Sequence, residues 1–255
     1  MNKFFQYGFG LMAFVAVQGG AVAADPVVTE SRPVDARVQR VHLDGVVSLQ
    51  LRQGATPSLT LNGERRYLDK TSVSQSGDTL TIETNFSEHG HINAKTIRAE
   101  LVLPQLREVV SDTVGSTEVR GFSGDELVVG LEGAGSVKVN CNYKVVNANL
   151  GGVGSMNIAG GDGTGINLDL HGAGSVNLAG RGKWLKANLN GLGSIDAQQF
   201  EVDSVDVDLS GLGNATVHAR QSASLSLSGL GSVTVYGKPL NRKVSVDGLG
   251  KVSWK

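Results

Sequence analysis

Carboxylates lead the side chains able to do chemistry. Asp203, Asp206 and Asp208 cluster within six residues, and Asp169 lies upstream at the place equivalent to Asp208 in a repeated pattern. Paired carboxylates on one exposed surface suit acid–base cleavage of a glycan, or a hard cation. The same residues also make a solvated face that keeps a protein soluble, and that reading is preferred. Lys186 and Lys243 share the place of Asp206, but are expected on units not adjacent to it. His89 and His91 flank Gly90 beside Glu88. Two histidines without a third ligand make a poor metal site, so a solvated loop is expected there. His171 and His218 stand on separate units. The single cysteine, Cys141, has no local histidine partner, and being alone it excludes an internal disulfide or a multi-cysteine metal site. A buried small side chain or an intermolecular disulfide remains open. Tyr143, Trp184, Phe200 and Tyr236 can stack on sugar rings or pack against the core, and packing is preferred.

Composition narrows the classes further. The chain has 255 residues, 40% of them apolar, which is enough for a core. The formal net charge of −1 lacks the basic excess of a nucleic-acid binder, so no nucleic acid is expected as a partner. The 35 glycines and 5 prolines fit neither a helical bundle nor collagen. The apolar content is too high for a disordered chain. Residues 160–165 (GGDGTG) have the composition of one calcium-binding β-roll unit. Such rolls need successive copies at about nine-residue spacing, so this stretch reads as a loop. The Gly-x-Gly pairs lack the strand-to-helix context, the third glycine and the lysine of nucleotide-binding loops. No cofactor, metal or catalytic residue is assigned.

The first 23 residues read as a secretory signal peptide. Lys3 supplies the positive end, residues 9–17 (FGLMAFVAV) the short apolar run, and Ala21-Val22-Ala23 the cleavage pattern. No later segment approaches 18 apolar residues, so no transmembrane helix is expected after cleavage. The expected destination is the periplasm or the cell surface of a Gram-negative bacterium.

Periodicity supplies the elements that must position these groups. A Gly-x-Gly corner recurs at Gly133 and Gly135, Gly152 and Gly154, Gly172 and Gly174, Gly191 and Gly193, Gly211 and Gly213, Gly229 and Gly231, and Gly248 and Gly250. The steps are 18 to 20 residues, with a degenerate copy at Thr113-Val114-Gly115-Ser116. Positions two and four before the first glycine, and four and six after it, are apolar. The positions between are polar, mostly Ser, Asn, Asp or Lys, with Gly130 in the first unit. Alternation of period two means half-buried strands. Each unit therefore reads as strand, glycine corner, strand and a variable connection, and stacked units make a β-solenoid. The glycines are expected to supply backbone angles forbidden to other residues, and the middle residue to point inward. Eight coils would give a rod roughly 35–40 Å long. A hairpin reading, with a membrane barrel as its outcome, is opposed by strands shorter than a span needs and by polar side chains on the non-core face.

Residues 24–36 read as an extended lead-in and 37–254 as one solenoid domain, less regular over 37–105 and corner-bearing over 106–254. Strands are expected at 46–51, 58–61, 79–83 and 97–103, turns at Asn62-Gly63 and Ser76-Gly77-Asp78, and a loop at 85–95. The front part is expected to close one end of the solenoid, and Trp254 to plug the other.

The series GAGSVKV, GVGSMNI, GAGSVNL, GLGSIDA, GLGNATV and GLGSVTV follows a front half containing VSLQLRQGATPSLTLNGE and GDTLTIET. Together they resemble the GIN-domain family, head domains of auto-transporter adhesins. The resemblance spans roughly residues 36–254. It implies a fold like the pectin-lyase β-helices without their catalytic residues, and a role in adhesion. The family's corners are usually Gly-Ser-Gly, whereas here the middle residue is Ala, Val or Leu. The expected function is thus a non-enzymatic binding module for a glycan or an envelope or surface protein. Asn149, Asp169, Asn188, Asp206 and Asp208 mark the candidate binding face. A structural module that forms homo-oligomers, and a carbohydrate-active β-helix using Asp169, Asp206 or Asp208, are the alternatives.

Overall fold

The computed structural model describes residues 26–85 and 96–255. The expected signal peptide and the Glu88–His91 cluster lie outside the described residues. Strand makes up 75% and helix 2% of the structure. In chain order the first elements are β1 (Val27–Arg32), β2 (Arg40–Gly45), β3 (Val47–Gln53) and β4 (Ser58–Glu64). A single helical turn, α1 (Arg65–Leu68), precedes β5 (Thr71–Ser76), β6 (Thr79–Thr84) and β7 (Ile97–Leu103). Then come β8 (Glu108–Thr113), β9 (Ser116–Leu131), β10 (Ala134–Leu150), β11 (Val153–Asp162), β12 (Gly165–Leu170) and β13 (Ala173–Arg181). The last are β14 (Trp184–Leu189), β15 (Leu192–Leu209), β16 (Leu212–Leu227), β17 (Leu230–Tyr236), β18 (Asn241–Val246) and β19 (Lys251–Trp254).

Among the strands β8 to β19 every mutual pairing is parallel and joins strands one repeat apart. Hairpins would have paired antiparallel, so the repeats form a β-solenoid of about seven turns. The degenerate copy turns its corner in step with the rest: Ser116 lies beside Ser136, as Ser136 lies beside Ser155. The apolar positions point inward as the alternation requires. Val137, Met156, Val176, Ile195, Ala215 and Val233 form one buried ladder, and Leu131, Leu150, Leu170, Leu189, Leu209 and Leu227 another. A fully buried Val or Leu contributes about 1.5–3 kcal/mol, so these ladders dominate the stability of each coil.

Two expectations about the corners are overturned. The middle residue points outward, leaving Val153 61% and Leu192 56% exposed. Backbone angle is not the general reason for the glycines either, since of the fourteen only Gly154 and Gly248 have positive φ. Gly135, Gly231 and Gly250, expected to supply such angles, do not. The reason is close stacking. A Cβ on Gly193 would lie 2.0 Å from the carbonyl oxygen of Gly174, and one on Gly174 would lie 1.9 Å from that of Gly154. One on Gly135 would lie 2.2 Å from the carbonyl oxygen of Gly115, and one on Gly231 2.2 Å from that of Gly213. Gly250, on the last coil, departs from this pattern. Its Cβ would meet the Leu227 side chain at 2.9 Å, with the Gly231 carbonyl oxygen 3.6 Å away, so backbone does not crowd it. At the other corners the inner positions are taken by the backbone of the neighbouring coil, which turns the middle side chain toward solvent.

The front part departs from sequential order. β2 lies between β6 and β8, and β3 between β7 and β9. The β6–β7 level is therefore outside the β2–β3 level, although it comes later in the chain. Residues 104–107 then carry the chain past β2–β3 to start β8. β4 covers the outer edge of β7 antiparallel, β1 covers β4, and β5 covers β6. Leu68 of α1 is buried beneath this cover. The turn expected at Asn62-Gly63 is absent, since both residues lie inside β4. A Cβ on Gly63 would meet Ile97 Cδ1 at 2.6 Å, so this glycine serves close packing rather than reversal. The Ser76-Gly77-Asp78 turn does link β5 to β6, with Gly77 at φ +61°.

Candidate functional site

The residues singled out as a binding face come together on the outer surface of the sheet formed by the strands before each corner. Asn149, Asp169, Asn188 and Asp208 stand on successive coils in one column. Asn147, Asn167, Lys186 and Asp206 form the column beside it. Lys186 and Asp206 thus sit on adjacent coils, contrary to the spacing expected from sequence. The unequal connection lengths had hidden this.

Amide and carboxylate groups link the coils. Asn188 Nδ2 donates to Asp169 Oδ1 at 2.9 Å, and Asn167 Nδ2 to Asn147 Oδ1 at 2.7 Å. The column ends are anchored by glutamates, with Asn147 donating to Glu126 and Asn149 to Glu132. Asn149 Oδ1 is buried and has no hydrogen-bond partner in the structure, so this position holds an unused acceptor. Asp169, Asp206 and Asp208 are exposed. A general acid on a glycan is usually a carboxyl withdrawn from water, and these are not. The arrangement is a flat lattice of donors and acceptors repeating at the rung spacing of about 4.8 Å.

Tyr143, Phe200, Trp184 and Cys141 resolve into packing. Tyr143 and Phe200 are buried. Tyr143 donates its hydroxyl to the Leu106 carbonyl at 2.6 Å, and burial pushes its pKa up. The Trp184 ring lies over Gly165, where a Cβ would come within 2.2 Å of it. Cys141 is a buried free thiol with Sγ 3.8 Å from the Val119 carbonyl, and burial raises its pKa too. That position speaks against an intermolecular disulfide in the folded chain. Among the described residues no group of three or more His, Cys, Asp or Glu is placed to hold a metal.

One cluster escaped the sequence reading. His42 Nε2 lies 2.7 Å from Glu108 Oε1, and Arg40 bridges Glu108 at 3.7 Å and Asp78 at 3.5 Å. Arg40 and Glu108 border a groove with Arg107, Asp125 and Tyr143. The partners are brought together by the β2–β8 pairing across 66 residues, for which no local signal exists.

With the geometry in view, comparison with known proteins places the chain. The family model described as "Putative auto-transporter adhesin, head GIN domain" matches residues 38–239. The chain belongs to this GIN-domain family. Solved structures share the fold of this GIN domain. A "putative adhesin" from Parabacteroides merdae has a TM-score of 0.79 at 19% identity, covering 90% of this chain and 96% of that one. A "putative adhesin" from Bacteroides fragilis gives 0.68 at 20%, covering 91% and 98%. A "Putative lipid binding protein" from Parabacteroides distasonis gives 0.75 at 17%, covering 89% and 96%. At such identities the likeness is one of fold. No curated protein sequence matches the GIN domain described here.

Proposed function

We propose that this chain is an exported, non-enzymatic binding module of a Gram-negative cell envelope. Its outer face, centred on Asn149, Asp169, Asn188, Asp206 and Asp208, holds a repetitive ligand, either a glycan or a surface protein. The observation that carries the reading is the two-column lattice, in which one column alternates amide and carboxylate from coil to coil and the other runs Asn, Asn, Lys, Asp. A surface of fixed period offers several weak polar contacts at once to a ligand that is itself periodic. Membership of an adhesin family supports a role in binding surface molecules. Among the described residues no helix is long and apolar enough to cross a membrane.

The test has two arms. Protease treatment of intact cells, compared with cells whose outer membrane is permeabilised, reports the side on which the protein sits. Cleavage in intact cells is the expected result. Protection until permeabilisation would restrict partners to the periplasm and remove simple adhesion. A glycan and surface-protein array is then probed with the wild type and with Asp169→Ala/Asp208→Ala. The double variant is expected to lose retention. Release of reducing sugar that disappears in Asp208→Asn would instead make the protein a carbohydrate-active enzyme.

A further inference from the structure

The charges of this chain are distributed unevenly along the rod. Residues 238–255 carry five basic side chains, Lys238, Arg242, Lys243, Lys251 and Lys255, and one acidic one, Asp247. The rest of the chain carries eighteen basic and twenty-three acidic residues. One end therefore bears a net charge of +4 and the remainder −5.

That basic segment builds the level formed by β18 and β19. Among the described residues β18 pairs only with β16, and β19 only with β17. Every residue of β18 is exposed, including Val244 and Val246, whose equivalents on the other coils are buried. Leu240 is 93% and Leu249 83% exposed, one on each side of β18. Apolar and cationic side chains are thus interleaved on one end surface.

A further coil is a poor fit to this end. The column of Leu127, Val146, Ile166, Leu185, Val205 and Ala223 is apolar and buried, and Arg242 takes the next place in it. Its guanidinium lies 4.3 Å from the centre of the Trp254 ring and donates to the Pro239 carbonyl. An inward-pointing charge at a sheet edge discourages strand addition. Two such ends would also repel one another through their like charge.

We propose that this end docks on an anionic lipid bilayer. Lys238, Lys243, Lys251 and Lys255 would meet the headgroup phosphates, and Leu240 and Leu249 would enter the boundary with the acyl chains. Charge complementarity selects an anionic surface. The exposed leucines select a lipid surface over a soluble polyanion, because only the bilayer offers an apolar layer beneath its charges. Lys243 continues the Lys186–Asp206 column two coils beyond Asp206, and Leu240 borders the groove that Asp206 lines, so ligand retention is measured on each variant alongside vesicle binding.

The experiment is co-sedimentation of the whole chain with phosphatidylcholine vesicles, with and without phosphatidylglycerol. Binding is expected only with the anionic lipid, and added salt should weaken it. Lys243→Ser/Lys251→Ser/Lys255→Ser should lower the partition coefficient on the order of a hundredfold, at roughly fivefold per cation. Leu240→Ser/Leu249→Ser should weaken vesicle binding while leaving retention on a dextran sulfate column unchanged. Equal wild-type binding to neutral and anionic vesicles, or to neither, overturns the proposal, whatever the folding of the variants. Unaltered vesicle binding by the folded leucine variant reduces the end to a polyanion site and overturns the lipid assignment. Sedimentation velocity showing end-dependent dimers in place of vesicle binding would assign the surface to a second copy of the chain.

Discussion

At the scale of single residues, the corner glycines and the residues between them have opposite sensitivities. Gly193→Val forces a side chain against the Gly174 carbonyl, whose oxygen is 2.0 Å from the place of the Cβ. Overpacking of this kind should cost about 3 kcal/mol in urea denaturation. Leu212→Ser, one residue from Gly211 and Gly213, should change stability by no more than about 0.5 kcal/mol, because that side chain already faces water. A large loss for Leu212→Ser would return the middle residue to the core. Tyr143 gives a second test. Its pKa is raised by burial above the ordinary 10.0, and nearby Cys141 is raised above 9.0. A group with a raised folded pKa favours the folded state below its unfolded pKa, and that contribution is lost as pH rises toward the folded value. Stability should therefore decline above pH 9 to 10. Tyr143→Phe should shallow the decline while costing about 1 kcal/mol at neutral pH through the lost hydrogen bond to Leu106. Cys141 should resist thiol reagents until denaturant is added.

At the scale of elements, the β1–β4 and β5–β6 pairings explain why one end of the rod presents no open parallel edge. Deleting residues 26–36, and with them β1, leaves the far edge of β4 unpaired. Light scattering should then report concentration-dependent association absent from the full chain. The regular coils were legible in the sequence because one period governs both glycine spacing and apolar alternation, and parallel stacking simply repeats it. The strands at 79–84 and 97–103 were legible for the same local reason. Their placement outside β2–β3 was not, because pairing partners across tens of residues leave no trace in alternation. Asn62-Gly63 misled because a glycine chosen for contact with Ile97 has the same letters as a turn. At the candidate face, the Asn149–Asp169–Asn188–Asp208 column could be read off the repeat. The neighbouring Lys186–Asp206 register required the structure, since connections of differing length blur the count. His42 and Glu108 carried no signal at all.

At the scale of the whole molecule, a solenoid is held by contacts between neighbours. Its stability is close to a sum over coils and interfaces, and its ends loosen first. Amides of β18 and β19, paired on one side only among the described residues, should exchange with solvent well before those of β12 to β15. Measured hydrogen exchange with the opposite order would contradict a nearest-neighbour picture. The crossing at residues 104–107 also sets a direction for assembly. A chain emerging with its N-terminus first completes β1 to β7 as a closed template before β8 appears. Every later coil then has a finished surface to land on and needs only some twenty residues of new chain. Versions truncated from the C-terminal side at coil boundaries should remain folded and simply be shorter, whereas versions lacking residues 26–84 lose the seed. Each coil thus sets on the one before it, like a rope wound onto a drum already in place.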